Sequence, residues 1–559
     1  MKMAKGKDCF FAHKVWVTMR DGIKLATTVY LPLKGGPHPA VLVRTAYNRI
    51  GFYDPFFVKN NIALVTQDCR GRYESGGNFY PFVNEPDDGF DTLQWIGKQP
   101  WCNGKIGMFG DSYLAATQLL VAPLQNKFLK VINPRFMAAD CWKHAYYCDG
   151  AFSLALSWSW LCFETATKIS HAVAMPLLDV KQFLKSLPII NMDERSGAGV
   201  VPYFRDYVSH CKFGKFWHLL RLSDKYDYFK IPVLLTAGWY DNYAAEAVNM
   251  FTGLQKANTN ESIKKQHRLI IGPWTHGINY STTLGELDFG PEAEKERDST
   301  QRWLNCILKN KPATDFQKAP IRIFVMGKNY WRDEQEWPLK RTCYTYFYLR
   351  TGRRLDAKPP ATEESPDCYV YDPENPVPTC GGNHSVGPYN PGLYDFVKPG
   401  PYDQHSIEQR NDVLIYTSRI LARDIEITGH VKLFLYASSS AKDTDFVARL
   451  TDVYPDRRSI NITEGILRVR FRKNIWGKPE LLVPDKIYLF EIDMQVTSNV
   501  FMAGHKIRLQ ITSSNFPLWD RNLNTGNNPA TDTRYIKARQ TIFHSPKYPS
   551  ALLLPIIPY

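Results

Sequence analysis

The sequence predicts an α/β protein in three parts: a strand-and-helix domain, a helical insertion that interrupts it, and an all-β domain behind it. Three observations carry this. Strand-like and helix-like runs alternate over the first 140 residues and again after about residue 229, the pattern of a sheet flanked by helices. Between 141 and 229 that rhythm gives way to an aromatic, alanine-rich texture, and after about 340 the helical signal nearly vanishes. A chain of 559 residues is too long for one core and has room for roughly three or four domains.

The elements follow in order. HKVWVTMRDGIKLATTVYLP (13–32) reads as a hairpin turning at Asp21-Gly22. HPAVLVRTAY (38–47) and NIALVTQDCRG (61–71) are short apolar runs followed by loops, the signature of buried strands. PDDGFDTLQWIGKQP (86–100) predicts a helix capped by Asp87 or Asp88, with Phe90, Leu93 and Ile96 on one face and Pro100 beyond its end. KIGMFG is then a buried strand. FKIPVLLTAGWYDNY (229–243) and QHRLIIGPWTHG (266–277) are two more strands with loops at their ends, separated by the helical run AAEAVNMFTGLQKA. Beyond 340, CYTYFYLR, DVLIYTSRI, GHVKLFLYASS, GILRVRFR, KIYLFEIDM and HKIRLQITSS are short strands between Gly, Pro, Asn and Asp clusters, which predicts a β-sandwich or jelly roll. The domain boundaries expected are 1–140 with 230–340, 141–229, and 341–559.

Composition narrows the function classes. The net charge of +14 is spread along the chain. Its densest patch, RVRFRK (468–473), predicts a strand with one apolar and one solvated basic face rather than a nucleic-acid groove, and no nucleic-acid-binding signature accompanies it. The 11 cysteines show no C-x-x-C and no paired His/Cys spacing, so they read as free thiols in a reducing compartment. The N-terminal MKMAKGKDCFFAHKVW has charges but no apolar core of a signal peptide, and no run of about 18 apolar residues predicts a spanning helix. A cytoplasmic protein with neither nucleic-acid nor membrane partner is expected; homo-oligomerisation is left open. The sequons at Asn260, Asn383 and Asn461 then carry little weight.

The chemistry centres on GMFGDSYLAATQ (107–118). Gly110 lies two residues before Ser112, as in a nucleophile elbow, but Leu114 stands where G-x-S-x-G has its second glycine. A serine hydroxyl is a weak nucleophile and needs a base and an orienter. Asp241 follows the apolar run 231–237 and His276 the run 268–271. Ser, then acid, then His, each on a loop after a strand, is the chain order of α/β-hydrolase folds, and open α/β sheets place their sites at such strand ends. Each residue alone has a plainer reading, as an N-cap, a turn former and an ordinary histidine; their shared order and position favour a triad. A tetrahedral oxyanion also needs donors. The Tyr113 amide, next after the serine, is one. Tyr47, in VLVRTAYNR (41–49) at the loop after an early strand, is either a second donor through its phenol or a packing tyrosine, and the residues alone leave both open.

Taken together, DGIKLATTVYLP, LVRTAY, QDCRGRYESGG, DGFDTLQWIGKQPWCNGKIGMFGDSY, TAGWYD and IGPWTHG, followed by KDTDFVARLTDVYPDRRS and AGHKIRLQITSSNFPLWDRNLNTG, resemble the cocaine-esterase-like hydrolases of the X-Pro dipeptidyl-peptidase and α-amino-acid ester hydrolase superfamily. The resemblance runs from about residue 13 to 530. It implies an α/β-hydrolase domain with an inserted helical cap and a C-terminal β jelly roll. It implies Ser112 as nucleophile, Asp241 as triad acid and His276 as base, with the Tyr47 phenol and the Tyr113 amide as oxyanion hole. The family's elbow is G-x-S-Y-x-G, so Leu114 is no departure, while Ala115 in the place of the second glycine is a mild one at a packing position. Tyr146, Trp160 and Tyr243 match aromatic pocket walls, Tyr146 standing where the pattern has a tryptophan. The acidic cluster that binds the substrate ammonium in the amino-acid ester hydrolases is not matched here: Asn242 and Tyr243 follow the acid, and Glu246 is a lone candidate that reads more simply as a solvated helix face.

The sequence thus points to a serine hydrolase, most simply a carboxylic ester hydrolase, that cleaves a small-molecule ester or amide through an acyl-enzyme with no metal or organic cofactor. An acyltransferase or cyclase would use the same acyl-enzyme with another acceptor. An X-Pro peptidase would need a site for a free amino terminus. A non-catalytic binding protein would have no use for the triad.

Overall fold

A computed structural model of the chain describes residues 10–169, 179–257, 260–279, 281–296, 298–312, 318–387 and 391–558. Most of the basic N-terminal stretch, and residues 170–178 of the predicted insertion, lie outside them. Ten strands form the first sheet: β1 (Phe10–Thr18), β2 (Lys24–Pro32), β3 (His38–Thr45), β4 (Ala63–Asp68), β5 (Cys102–Asp111), β6 (Leu129–Arg135), β7 (Leu234–Gly238), β8 (Arg268–Gly272), β9 (Ile321–Val325) and β10 (Tyr330–Glu334). Their order is β1-β2-β4-β3-β5-β6-β7-β8-β9-β10. The hairpin of β1 and β2 turns at Asp21-Gly22 as predicted, with Gly22 at a φ of 84°. From β4 through β9 the strands run parallel, and β2 and β10 join them antiparallel.

Every residue of β3 and β4 is buried, because helices cover both faces and leave no polar side to alternate with. Four of these helices matter below: α1 (Glu85–Gly97), α2 (Tyr113–Val121), α3 (Ala244–Ala257) and α4 (Ser299–Leu308). On α1, Leu93 and Ile96 are buried as the periodicity requires. Its cap differs from the expectation. Asn84 is the N-cap and makes no side-chain cap bond, while Asp88 lies inside the helix, buried against Arg70 at 2.6 Å.

Between β6 and β7 the chain forms short helical pieces, among them Cys141–His144, Leu154–Ser159 and Pro202–Ser209, with a π turn at Trp160–Glu164 and a two-residue strand pair. Beyond β10 the structure is mainly β: an 11-stranded sheet with its own apolar core of residues such as Leu433, Phe446, Ile492 and Ile511. Its two longest strands, Ile425–Ser439 and Tyr488–Phe501, pair antiparallel. The second of them reaches the first sheet, where Met326 just past β9 exchanges backbone hydrogen bonds with Ser498 and Val500.

The basic patch is not the solvated strand face expected. The strand ends at Arg468, and Val469–Phe471 form a 3-10 turn. Arg468 is 1% exposed and pairs with Asp445 and Asp520, each at 2.9 Å. Asn383 and Asn461 are also buried, which removes them as glycosylation acceptors. Among the described residues no helix is long and apolar enough to cross a membrane, and the ten of the 11 cysteines that fall among them are all free.

Candidate active site

Ser112 stands between β5 and α2 with φ 56° and ψ −120°, a backbone state that costs a side chain of its kind about 1–3 kcal/mol and collects at functional sites. It is the N-cap of α2, yet its side chain makes no cap hydrogen bond, so capping is not what its hydroxyl does. Gly110 makes the turn feasible. Its φ is 142°, and a Cβ there would lie 2.5 Å from the Cβ of Leu114. Leu114 is therefore the residue that closes on the elbow, and Ala115, fully buried, fills the small position after it. The turn is tied to β6 by the Ser112 N–H donating to the Arg135 carbonyl at 2.9 Å and by the Arg135–Asp111 ion pair. The Tyr113 N–H begins the helix, where amides have no partner within the helix.

Asp241 and His276 are brought together by backbone contact. A Cβ on Gly238, the last residue of β7, would lie 2.2 Å from the Trp274 carbonyl oxygen, so only glycine lets the β8 loop come this close. Tyr240 N–H then donates to the Trp274 carbonyl at 2.9 Å, and Trp239 N–H to the Gly272 carbonyl at 2.9 Å. Held this way, Asp241, 0% exposed, accepts a 3.0 Å hydrogen bond from His276 Nδ1. With Nδ1 as donor, Nε2 of neutral His276 is the acceptor. The ring is fixed edge-on to Tyr243 at 5.4 Å and to Phe136 at 6.2 Å.

Ser112 and His276 line one cavity with Tyr113, Tyr146, Trp160 and Tyr243. No hydrogen bond joins Ser112 Oγ to His276 among the described residues; such bonds often close only around substrate. The cavity measures about 30 Å³, room for about two water molecules. Four further wall residues, Phe82, Met137, Leu156 and Ser385, carried no sequence signal of their own. Ser385 comes from beyond β10 and bonds the Tyr243 hydroxyl at 3.4 Å.

The structure brings six of the eight predicted site residues to this cavity wall and places the other two behind it, Asp241 on His276 and Tyr47 on Trp160. The Tyr47 hydroxyl accepts the Trp160 indole N–H at 2.8 Å, and an accepting phenol can still donate. Its ring packs edge-on to Tyr113 at 6.4 Å. Tyr113 uses its own hydroxyl elsewhere, donating to Glu85 at 2.7 Å; burial pushes that phenol well above its ordinary pKa. Tyr146 is 5% exposed and packs edge-on against Tyr207 at 4.5 Å. Burial raises its pKa strongly as well, so it presents a neutral ring.

Glu246 departs from its sequence reading. It is not a solvated helix residue but 3% exposed. It bonds His144 Nδ1 at 2.8 Å and accepts from the Asp140 N–H at 2.9 Å. Burial works against its charge, yet the His144 ring, by charge and hydrogen bond, holds the carboxyl below its ordinary range. It lies outside the walls of the Ser112 cavity.

Residues 21–278 match the model of the X-Pro dipeptidyl-peptidase (S15 family), and residues 314–553 match that of the X-Pro dipeptidyl-peptidase C-terminal non-catalytic domain. A cocaine esterase of Rhodococcus sp. (strain MB1 Bresler) is 36% identical, with 98% of this chain and 98% of that protein covered. Among solved structures, an α-amino acid ester hydrolase superposes with a TM-score of 0.87 at 25% identity, covering 100% of this chain and 98% of the other. An aminopeptidase from a marine sediment Thaumarchaeota archaeon shares the fold, with a TM-score of 0.87 at 24% identity over 100% of this chain and 98% of the other.

Proposed function

Starting from a chain that belongs to the X-Pro dipeptidyl-peptidase (S15) family and is a serine hydrolase, we propose that it cleaves a small-molecule carboxylic ester through a Ser112–His276–Asp241 triad. The observation that carries this reading is the buried Asp241–His276 hydrogen bond beside a serine in a strained elbow whose side chain caps nothing. Ser112 Oγ attacks the ester carbonyl while His276 Nε2 takes its proton. Asp241 holds the ring in the tautomer that accepts there and stabilises the imidazolium that forms. The Tyr113 amide and the Tyr47 phenol receive the developing oxyanion. His276 returns the proton to the leaving alcohol, and water then repeats the sequence on the acyl-enzyme.

The finer architecture belongs to the same reading. Residues 1–140 and 230–340 form the catalytic α/β-hydrolase domain, 141–229 a helical cap over Ser112, and 341–559 a jelly roll that lends Ser385 to the cavity. The free thiols support a reducing, cytoplasmic setting.

The walls favour an ester of a neutral acid over a peptide with a free amino terminus. The described residues that line the cavity include five aromatic rings besides His276, and no carboxylate, so an ammonium group finds no counter-charge there. A substrate acyl group larger than the present space requires Tyr146, Trp160 and their neighbours to part.

Turnover of p-nitrophenyl butyrate by wild type and Ser112→Ala tests the triad. The variant should lose about 10⁴-fold or more in kcat, and a fluorophosphonate should label wild type at Ser112 alone. Equal turnover by the two proteins would remove Ser112 from the mechanism.

A further inference from the structure

Next to the catalytic cavity lies a second, smaller chamber of about 20 Å³ that shares two of its wall residues, Leu156 and Ser385. Its walls combine apolar side chains, Leu156, Val386, Leu518 and Trp519, with a group of polar ones. Five of its wall residues, His144, Asn242, Asn383, His384 and Gln495, carry six buried side-chain atoms that bond no protein group. Buried polar atoms are normally paired, so each of these calls for a partner. The other ends of the same side chains are engaged, which fixes what the unpaired ends offer. Asn242 Nδ2 donates to the His144 carbonyl and Asn383 Nδ2 to the Trp239 carbonyl at 2.7 Å, leaving both Oδ1 atoms as acceptors. His384 Nδ1 accepts the Val386 N–H at 3.4 Å, so its Nε2 carries the proton and donates. Burial pulls the His384 pKa down to about 3 and keeps the ring neutral. His144 Nδ1 is bonded to Glu246. Gln495 contributes both a donor and an acceptor.

Gln495 is placed there by a deliberate irregularity. Along the pairing of Ile425–Ser439 with Tyr488–Phe501, two steps from His430 to Lys432 face three steps from Val496 to Asp493. The extra residue is a β-bulge, a device that re-aims a side chain and recurs beside active sites. Gln495 sits in the bulge at a φ of 64°, in the left-handed region that a non-glycine residue enters at a cost. The Gln495 N–H donates to Asp493 Oδ1 at 2.9 Å, which holds the bulge.

The dimensions and the inventory select the ligand. A buried water needs about 10–15 Å³ of such space and makes about three hydrogen bonds. A chamber of 20 Å³ whose wall residues carry six unpaired donors and acceptors fits one or two waters at about 10–15 Å³ each, and it is too small for an organic group. We propose that this chamber is a water site that supplies the hydrolytic water to the acylated Ser112 across the Leu156–Ser385 wall. The step rests on the acyl-enzyme reading above. The water oxygen bonds to the acyl carbon as its proton passes to His276. The tetrahedral adduct collapses, the carbon–Oγ bond breaks, Ser112 regains the proton from His276, and the carboxylic acid leaves. The second rim of the chamber, formed by Asn383, His384 and Gln495, belongs to the C-terminal part of the chain, which thereby acquires a role in deacylation.

Two measurements test this on the full-length protein. A high-resolution crystal structure of wild type should show ordered waters within hydrogen-bond distance of Gln495, His384 and Asn383; a dry chamber overturns the proposal. Carbamoylation with p-nitrophenyl N,N-dimethylcarbamate then isolates the second half-reaction. Release of p-nitrophenol reports acylation, and recovery of activity after removal of the reagent reports attack by water. Gln495→Met keeps the side-chain length and removes both polar atoms. It should leave carbamoylation within about twofold of wild type and slow recovery about tenfold. A folded Gln495→Met protein that recovers at the wild-type rate refutes the water supply while leaving the triad intact. A wild-type protein that is never carbamoylated on Ser112 by peptide mass refutes the acyl-enzyme reading itself. Where Gln495→Met does not fold, the wild-type crystal structure decides.

Discussion

Two regions hold the Ser112 cavity in place, and they do it by different physics. The rim, where β5, β7 and β8 end, is set by backbone: a left-handed serine, and two glycines at which a Cβ would collide with Leu114 or with the Trp274 carbonyl. The seam, where the 141–229 segment meets the C-terminal sheet, is set by buried charge. Arg468 joins Asp445 and Asp520; Asp520 accepts the Phe152 N–H at 2.7 Å, and the Arg468 N–H donates to the Asp149 carbonyl at 3.1 Å. The segment clamped this way carries Tyr146 and Trp160. Backbone geometry aims reactive atoms to within tenths of an ångström, whereas ion pairs lock one layer on another and punish any change of partner. Rim changes should therefore cost rate, and seam changes should cost stability.

The largest effect tests the rim. Asp241→Asn keeps shape and burial but no longer holds His276 in the accepting tautomer, so kcat on p-nitrophenyl butyrate should fall about 10⁴-fold. The melting temperature should stay within a few degrees of wild type. A comparable loss of both would mean that Asp241 belongs to the scaffold as much as to the chemistry. Next is the seam. Arg468→Met leaves two carboxylates buried together, and burial already pushes Asp445 up to about 6 even with Arg468 beside it. Denaturant titration should show a loss of about 3–5 kcal/mol, with kcat at low temperature within about threefold of wild type. A stable Arg468→Met protein with a hundredfold lower kcat would break the distinction between the two regions.

The same contrast explains what could be read from the sequence. The rim was legible because its chemistry is local: a serine after Gly-Asp, an acid and a histidine each after an apolar run, in one chain order. The strands of both sheets were legible from apolar runs and period-2 patterns. The seam was not. RVRFRK alternates like a solvated strand, and nothing within the run says that Asp445 and Asp520 will close over Arg468. Glu246 failed in the same way, since its partner His144 lies 102 residues away. Buried charge is a property of pairs distant in sequence, and hydropathy patterns register only one member at a time. Ser385 and Gln495 were invisible for a related reason: a bulge and a loop far along the chain carry them to the site.

Tyr47 sits where the two regions touch, since its phenol is held by Trp160 of the clamped segment. Tyr47→Phe removes the hydroxyl and nothing else. If the phenol serves the oxyanion, kcat should fall about 10²–10³-fold with KM little changed. If it is a packing residue, the loss should be confined to stability, about 1 kcal/mol for one hydrogen bond, with kcat intact. The split between kcat and stability therefore assigns Tyr47 to the rim or to the seam.

The smallest effect concerns the sheet beneath the rim. His267, immediately before β8, is fully buried, and its Nδ1 accepts the Val233 N–H at 3.3 Å, an arrangement that requires a neutral ring. Burial, aided by Arg268, lowers its pKa from 6.5 to about 4. Below about pH 6.5 the unfolded chain takes up a proton that the folded chain refuses until about pH 4. The unfolded state then binds more protons, so stability is complete above that window and falls as the pH drops through it. From pH 7 to pH 5 this one group should remove about 2 kcal/mol. His267→Asn places an amide oxygen near the Nδ1 position, keeps the acceptor for Val233 and cannot be protonated. Urea titrations at pH 7 and pH 5 should show the variant losing about 2 kcal/mol less than wild type over that interval. The pH profile of kcat at low temperature should be unchanged, because His267 lies at the opposite end of β8 from His276. An altered kcat profile in the variant would mean that the strand transmits charge to the rim, and that the rim is not set by backbone alone.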